Sequence, residues 1–203
     1  RRVSFLDQIV HELKTPLAGL KLHLQLMRKH GPTPESLSAA DASVNRIDGL
    51  FNDIVAANRP HETAAGEAIT PEDLDEVLQD LRAEFGDKLL VEGRAENALV
   101  AESTRMKVVL RNLVQNGVRY GDQARLIIKN KSDYLECSVE DHGPGIAHED
   151  RDKVFENYYR SDHAKSRVSD GLGIGLSIAR KAAVEMGARL SLANPGQPGA
   201  RFC

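Results

Sequence analysis

His11 and Glu12 stand side by side in an apolar-periodic stretch, with Thr15 one helical turn further on and Pro16 directly after it. With Val3 placed at heptad position a, Val10 and Leu13 occupy a and d, so His11 falls at b and Glu12 at c, both pointing outward. Thr15, four residues on, shares the face of His11. An imidazole whose one ring nitrogen is bonded to a carboxylate keeps a single tautomer and leaves the other nitrogen free to attack phosphorus. An isolated exposed histidine on a helix usually does nothing. Proline inside a helix costs about 3 kcal/mol, and a heptad that keeps one beside such a histidine points to a local purpose.

Three further groups lie downstream. Asn112 and Asn116 are four apart and so share one side of a helix, with Leu110, Leu113 and Val114 available to pack inward. A neutral amide oxygen there can complete the coordination of a magnesium ion that already carries phosphates, without adding negative charge. Asp141 follows the alternating stretch Leu135, Cys137, Val139, and Gly143-Pro-Gly145 follows it. Such a turn lets backbone approach a flat ligand closely, while the carboxylate can accept from an exocyclic amine. Gly171-Leu-Gly173-Ile-Gly175 opens a helical pattern, so unpaired N–H groups at its start can cradle phosphates. It has neither the lysine of a Walker loop nor the preceding strand of a dinucleotide fold.

Each group alone is weak: paired asparagines are mostly polar surface, and Asp-x-Gly-x-Gly is mostly a turn. In this order, together with His-Glu-Leu-Lys-Thr-Pro-Leu at residues 11–17, they resemble the transmitter core of bacterial sensor histidine kinases over nearly the whole chain. The resemblance implies an ATP-dependent protein-histidine kinase of two-component signal transduction, with ATP and Mg²⁺ as cofactors. It makes His11 the phosphorylated residue, Glu12 the base that orients it, and Thr15 a group that positions water for dephosphorylating a partner. Asn116 becomes the metal ligand. Asn112 stands where related hydrolytic ATPases have a glutamate, which argues for transfer over hydrolysis. Arg119 is expected at phosphate, Tyr120 beside the nucleotide, and Asp141, Gly143 and Gly145 at adenine. Gly171, Gly173 and Gly175 are expected at the phosphates. Phe155 to Arg160 resembles the family's aromatic box, with Arg160 a phosphate contact, and residues 161–170 resemble its lid. Gly117 stands where alanine is usual. The implied partners are a second copy of the chain and the receiver domain of a response regulator, whose aspartate takes the phosphoryl group. Alternatives of the same fold are a catalytically weak dimeric signalling scaffold and an ATP-driven conformational machine; the intact nucleotide boxes speak against the first, Asn112 and the histidine helix against the second.

The elements that must carry these residues are legible in the periodicity. Val3, Leu6, Val10, Leu13, Leu17, Leu20, Leu24 and Met27 form a heptad seam; Gly31 to Pro34 breaks it; Leu37, Ala40, Val44, Ile47, Phe51 and Ile54 form a second. One such hairpin leaves Phe5, Ile9, Leu22, Leu26 and Leu50 facing water, so two hairpins are expected to pack as a dimeric four-helix bundle. The expected domains are a dimerisation and phosphotransfer hairpin at 1–60, a hinge at 61–69 and a catalytic ATP-binding domain at 70–203. Thr70-Pro71-Glu72-Asp73 starts a helix presenting Leu74, Val77, Leu78, Leu81 and Phe85. Strands are expected at 88–91 and 98–101, a helix at 104–119 and a hairpin at 125–131 with 134–140. A helix at 150–158, another at 173–186 and a strand from Arg189 complete the order. The fold class is α+β: the bundle, then an α/β sandwich of the histidine kinase, gyrase and chaperone ATPase type, with helices on one face.

Composition narrows the remainder. The 203 residues, 41% hydrophobic, are enough for ordinary cores, and net charge is −3 with basic residues dispersed, which excludes a nucleic-acid binder. Two cysteines, Cys137 and Cys203, exclude a disulfide framework or a cysteine-rich zinc site and fit a reducing cytoplasm. No run is long enough to cross a bilayer, so this stretch is expected to make no membrane contact. It is expected to be a fragment whose sensory part is absent, compatible with a whole protein anchored in the inner membrane.

Overall fold

The computed structural model describes residues 5–58, 68–97, 99–161 and 173–203. The chain forms two compact units, residues 1–60 and most of the rest from residue 61 on. In the first, α1 (Phe5–His30) and α2 (Pro34–Asn58) pack along each other. α1 stays helical through Pro16, whose ring is buried. The connection is closed by Thr33: its Oγ1 accepts from the Ser36 N–H (3.2 Å) and its own N–H donates to Ser36 Oγ (2.9 Å). Within the hairpin the d-type residues Leu13, Leu20, Met27 and Ile47 are half-buried and Ala40 is buried. The a-type residues turn away. Val10, Leu17 and Leu24 of α1 and Leu37, Val44 and Phe51 of α2 are 41% to 62% exposed, as are Leu22 and Leu26. Leu50, expected to face water in a lone hairpin, is instead 6% exposed, because it falls on the side of α2 that meets α1. Phe5 and Ile9 are outside the described side chains.

The second unit begins with β1 (Ala68–Ile69), so the end of the stretch expected as a hinge is a strand; residues 61–67 lie outside the described set. β1 pairs antiparallel with β3 (Leu99–Val100). α3 (Pro71–Phe85) starts on a capping box in which Thr70 Oγ1 accepts from the Asp73 N–H (3.2 Å) and Asp73 Oδ2 accepts from the Thr70 N–H (2.8 Å). β2 (Leu89–Glu92), β4 (Ala124–Asn130), β5 (Leu135–Asp141) and β6 (Arg201–Phe202) form a mixed sheet in the order β2-β4-β5-β6, with only β2 and β4 parallel.

Strand alternation sends Ala124, Leu126, Ile128, Val139 and Phe202 to one face, where they join the buried faces of α3, α4 (Ser103–Gly121) and α5 (Gly175–Glu185) in one core. From α3 come Leu74, Leu78 and Leu81, from α4 Leu110, Leu113 and Val114, and from α5 Ala179, Ala182 and Ala183. The opposite face carries charge: Arg125 is held by Glu92 through two bonds of 2.8 and 2.7 Å, and Arg201 meets Glu140 at 3.3 Å. Helices over one face of a mixed sheet is the expected sandwich.

Two expected elements differ. Residues 150–158 form no α-helix but two short 3₁₀ turns, His148–Asp150 and Lys153–Phe155, because Phe155 is drawn into the core, edge-on to Phe202 (centroids 6.0 Å apart). Tyr158 at φ +66° then turns the chain away. The strand expected from Arg189 is reduced to a bridge between Leu192 and Phe202, since Pro195, Gly196, Pro198 and Gly199 commit the intervening residues to a loop. Among the described residues no helix is long and apolar enough to cross a membrane.

Candidate nucleotide site and phosphoacceptor helix

α4 brings the two asparagines to different environments. Asn112 is 5% exposed, and its Nδ2 donates to the Val108 carbonyl (2.8 Å), a bond back along the helix that fixes which way the amide points. Its Oδ1 is buried with no protein partner. A buried acceptor left without a donor costs about 1–3 kcal/mol, which makes it a place for a bound water or ligand group. The oxygen faces the start of α5: a Cβ on Gly175 would lie 2.9 Å from it. Asn112 is therefore not the surface residue that such pairs usually are. Asn116, one turn on, is half-buried. Ile174, at the N-cap of α5, offers no side-chain cap to the first turn.

At the other end of α4, Tyr120 and Gly121 press on the Asp141 turn. Asp141 Oδ1 accepts from the Gly143 N–H (2.8 Å) and the Ala200 N–H (3.1 Å). Burial pushes the carboxyl above its ordinary value, and those two N–H donors and the neighbouring His142 oppose the rise. With Oδ1 doubly occupied, Oδ2 is the oxygen left for a ligand donor.

The glycines beside it also make room for the protein's own backbone. A Cβ on Gly143 would meet the Tyr120 carbonyl at 2.9 Å, and one on Gly145, at φ +80°, would come within 1.9 Å of the Gln197 carbonyl. It is the protein's own backbone that needs this space. Gly173, at φ +68°, leaves room for the Tyr159 carbonyl and the Arg160 stem, and its carbonyl accepts from the Tyr158 N–H (2.9 Å). Arg160 is thereby brought to the head of α5. Tyr159 donates through its hydroxyl to Asp150. Arg119 lies exposed and Tyr120 half-buried in the last turns of α4.

In the first unit Thr15 is exposed on α1. His11 and Glu12 are on the same helix, their side chains outside what the structure describes, as is Gly171. Burial pushes the Cys137 thiol up to about 11, so it is no thiolate nucleophile.

The residues 194–200 were missed by sequence reasoning. They fall inside the strand expected from Arg189, and only the register of the last strand, Arg201 opposite Glu140, puts Ala200 beside Asp141.

A family model described as the histidine kinase-, DNA gyrase B- and HSP90-like ATPase matches residues 101–203. The chain belongs to that family. This histidine kinase-type ATPase unit is preceded by a match to the His Kinase A (phospho-acceptor) domain over residues 1–62. The pair is the arrangement of sensor histidine kinases. The chain is 31% identical over 185 residues to the sensor histidine kinase CpxA of Escherichia coli strain K12, covering 87% of the chain and 40% of the relative. It is also 31% identical over 210 residues to the sensor histidine kinase YkoH of Bacillus subtilis, covering 97% and 46%. It thus spans less than half the length of these curated relatives. The structure of the Acinetobacter baumannii histidine kinase AdeS superposes with a TM-score of 0.66 at 21% identity, over 95% of this chain and 94% of that one, a likeness of fold.

Proposed function

We propose that the chain is the catalytic core of a two-component sensor, an ATP-dependent protein-histidine kinase in which residues 1–60 carry the phosphoacceptor and the unit from β1 onward binds nucleotide. The observation that carries this is that one helix, α4, meets the start of α5 through Asn112 and the Asp141 turn through Tyr120 and Gly121, downstream of a helix that carries His11 next to Glu12. In this reading Asp141 Oδ2 accepts from the adenine amine and Tyr120 flanks the base. The start of α5, with Gly171, Gly173 and Gly175, meets phosphate through backbone N–H groups, and Arg119 and Arg160 add positive charge.

The donor set suits a metal that arrives with its nucleotide. Among the described residues no cluster of His, Cys, Asp or Glu can hold a metal alone. Asn116 supplies one neutral amide oxygen, so phosphates and water would complete the sphere. Bound there, Mg²⁺ would offset charge on the transferring group. Buried and neutral, the Asn112 amide is not basic enough to take a proton from water, which favours transfer over hydrolysis.

Glu12 orients His11 so that one ring nitrogen attacks the γ-phosphorus; an N–P bond forms as the bond to the bridging oxygen breaks, and ADP leaves with the electron pair. A receiver-domain aspartate of a response regulator then takes the phosphoryl group, and Thr15, one turn from His11, holds the water that later removes it from that aspartate. The six half-exposed a-position side chains favour a homodimer, since fully burying a large apolar side chain contributes about 1.5–3 kcal/mol. The function belongs at the cytoplasmic side of a signalling protein.

The test is incubation with γ-labelled ATP. An acid-labile, base-stable phosphate is expected on the chain, absent in His11→Gln, which should still bind ATP because nucleophile and pocket belong to different units. Persistent labelling of His11→Gln would remove His11 from the reaction.

A further inference from the structure

The loop between the Leu192 bridge and β6 is bonded to the Asp141 turn through Gly196, Gly199 and Ala200. The Gly196 N–H donates to the Ile146 carbonyl (2.6 Å) and the Gly199 N–H to the Gly143 carbonyl (2.8 Å). The Asp141 N–H donates to the Ala200 carbonyl (3.0 Å), and the Ala200 N–H returns to Asp141 Oδ1 (3.1 Å). The fit leaves no slack, since a Cβ on Gly199 would lie 2.3 Å from the Asp141 carbonyl. One side chain closes this loop on itself. Asn194 Oδ1 accepts from the Arg201 N–H (2.7 Å), and its Nδ2 donates to the Gly199 carbonyl (3.2 Å), so a single amide clamps the peptides on both sides of Ala200.

We propose that Asn194 is a positioning residue for base recognition: it holds the Ala200 N–H on Asp141 Oδ1 and so aims the other carboxylate oxygen at the exocyclic amine of the nucleobase. The inference rests on the reading of Asp141 as the base-specifying group. The physical reason is directional. A carboxylate with one oxygen saturated by two backbone donors has a fixed plane and a single oxygen to offer. Freed of the Ala200 N–H, it can rotate about its own bond to Cβ and present either oxygen, or donate when protonated. Removing the Asn194 amide unpairs both the Arg201 N–H and the Gly199 carbonyl, and the loop that carries Ala200 relaxes.

A residue that only stabilises the fold would weaken all nucleotides alike. A positioning residue should instead change selectivity. The experiment is a titration of the whole chain with ATP and with GTP, which presents a carbonyl where adenine has its amine, for wild type, Asn194→Ala and Asp141→Asn. Asn194→Ala is expected to weaken ATP by about tenfold, the size of one well-placed hydrogen bond to a charged group, with GTP changed less than about twofold on the same scale. Labelling of His11 at saturating ATP should stay near the wild-type rate. If Asn194→Ala keeps the wild-type ratio of ATP to GTP affinity while Asp141→Asn loses it, the role of Asn194 is wrong and that of Asp141 stands. If neither variant alters the ratio, the reading of Asp141 itself falls. Should Asn194→Ala fold too poorly to titrate, Asn194→Asp carries the same comparison, because it keeps the acceptor for Arg201 and loses the donor to Gly199.

Discussion

Gly117→Ala is the substitution that sequence likeness would call harmless and the structure calls costly. The residue sits on the buried side of α4, and a Cβ placed there would lie 2.8 Å from the Ala124 Cβ at the start of β4, with the Asp141 Cβ at 3.6 Å. Carbon atoms pack at about 3.5–4.0 Å, so the helix must rise from the sheet by roughly 1 Å or the strand must yield. Overpacking of this kind costs about 1–3 kcal/mol, against which alanine returns the helix propensity that glycine lacks, about 0.8–1.0 kcal/mol. The net should lie between neutral and about 2 kcal/mol destabilising. The sharper measurement is the coupling. Ala124→Gly removes the opposing methyl, so the double variant should recover the propensity gain without the clash, giving an interaction of about 0.5–3 kcal/mol. Chemical denaturation of wild type, both single variants and the double variant provides it. Additivity within about 0.3–0.5 kcal/mol, with Gly117→Ala more stable than wild type, would refute the reasoning.

Two further perturbations act on the same pocket. Asp141 has its folded value raised above the ordinary 3.8 by burial. Between the two values the unfolded chain is already ionised while the folded chain keeps its proton, so this group's contribution to stability is greatest below 3.8 and is lost as pH rises through the raised value. Base binding runs the other way, because only the carboxylate accepts from an amine: ATP affinity should fall as pH drops through that raised value, at a higher pH than an ordinary aspartate would give. A fluorescent adenine nucleotide titrated against pH checks this, and a limb unchanged in Asp141→Asn would assign it elsewhere. Gly175→Ala puts a methyl 2.9 Å from Asn112 Oδ1 and should weaken nucleotide binding about tenfold, for an overpacking cost of about 1.4 kcal/mol. Adding Asn112→Ala should restore stability and not affinity, read by denaturation and by titration.

What could be read from the sequence followed the strength of each local signal. The heptads of α1 and α2, the Thr70-Pro71 start of α3 and the alternation in β4 and β5 are set by period and capping, and they appear within a residue or two of their expected bounds. Residues 150–158 failed because a single aromatic anchor, Phe155, outweighed a weak helical pattern. Leu50 failed because heptad letters do not say which a or d residues meet within a hairpin and which look outward. Within the proposed site, Asp141 and the two asparagines are candidates by residue type and spacing. The loop at 194–200 was not: its contribution is made by backbone N–H groups, which every residue but proline carries, and only strand register decides which of them reaches Asp141.

The glycine boxes look, in the sequence, like several independent ligand loops, and their contacts say otherwise. Gly175 makes room for Asn112, Gly143 for the Tyr120 carbonyl, Gly145 for the Gln197 carbonyl and Gly173 for the Tyr159 carbonyl. Each glycine is small on behalf of a different segment, so the segments are fitted to one another before any ligand is bound. The Asp141 turn is rigid: its carboxylate is fixed by two N–H donors on elements that are themselves interlocked. It also follows that a side chain added at one box acts through the element it displaces. A methyl at Gly143 meets Tyr120 at the end of α4, and one at Gly175 meets Asn112 in the middle of the same helix, each four residues from Asn116. Substitutions at either box should therefore disturb Asn116 as well as the group they touch, since Gly143 and Gly175 are both fitted to side chains and backbone of α4.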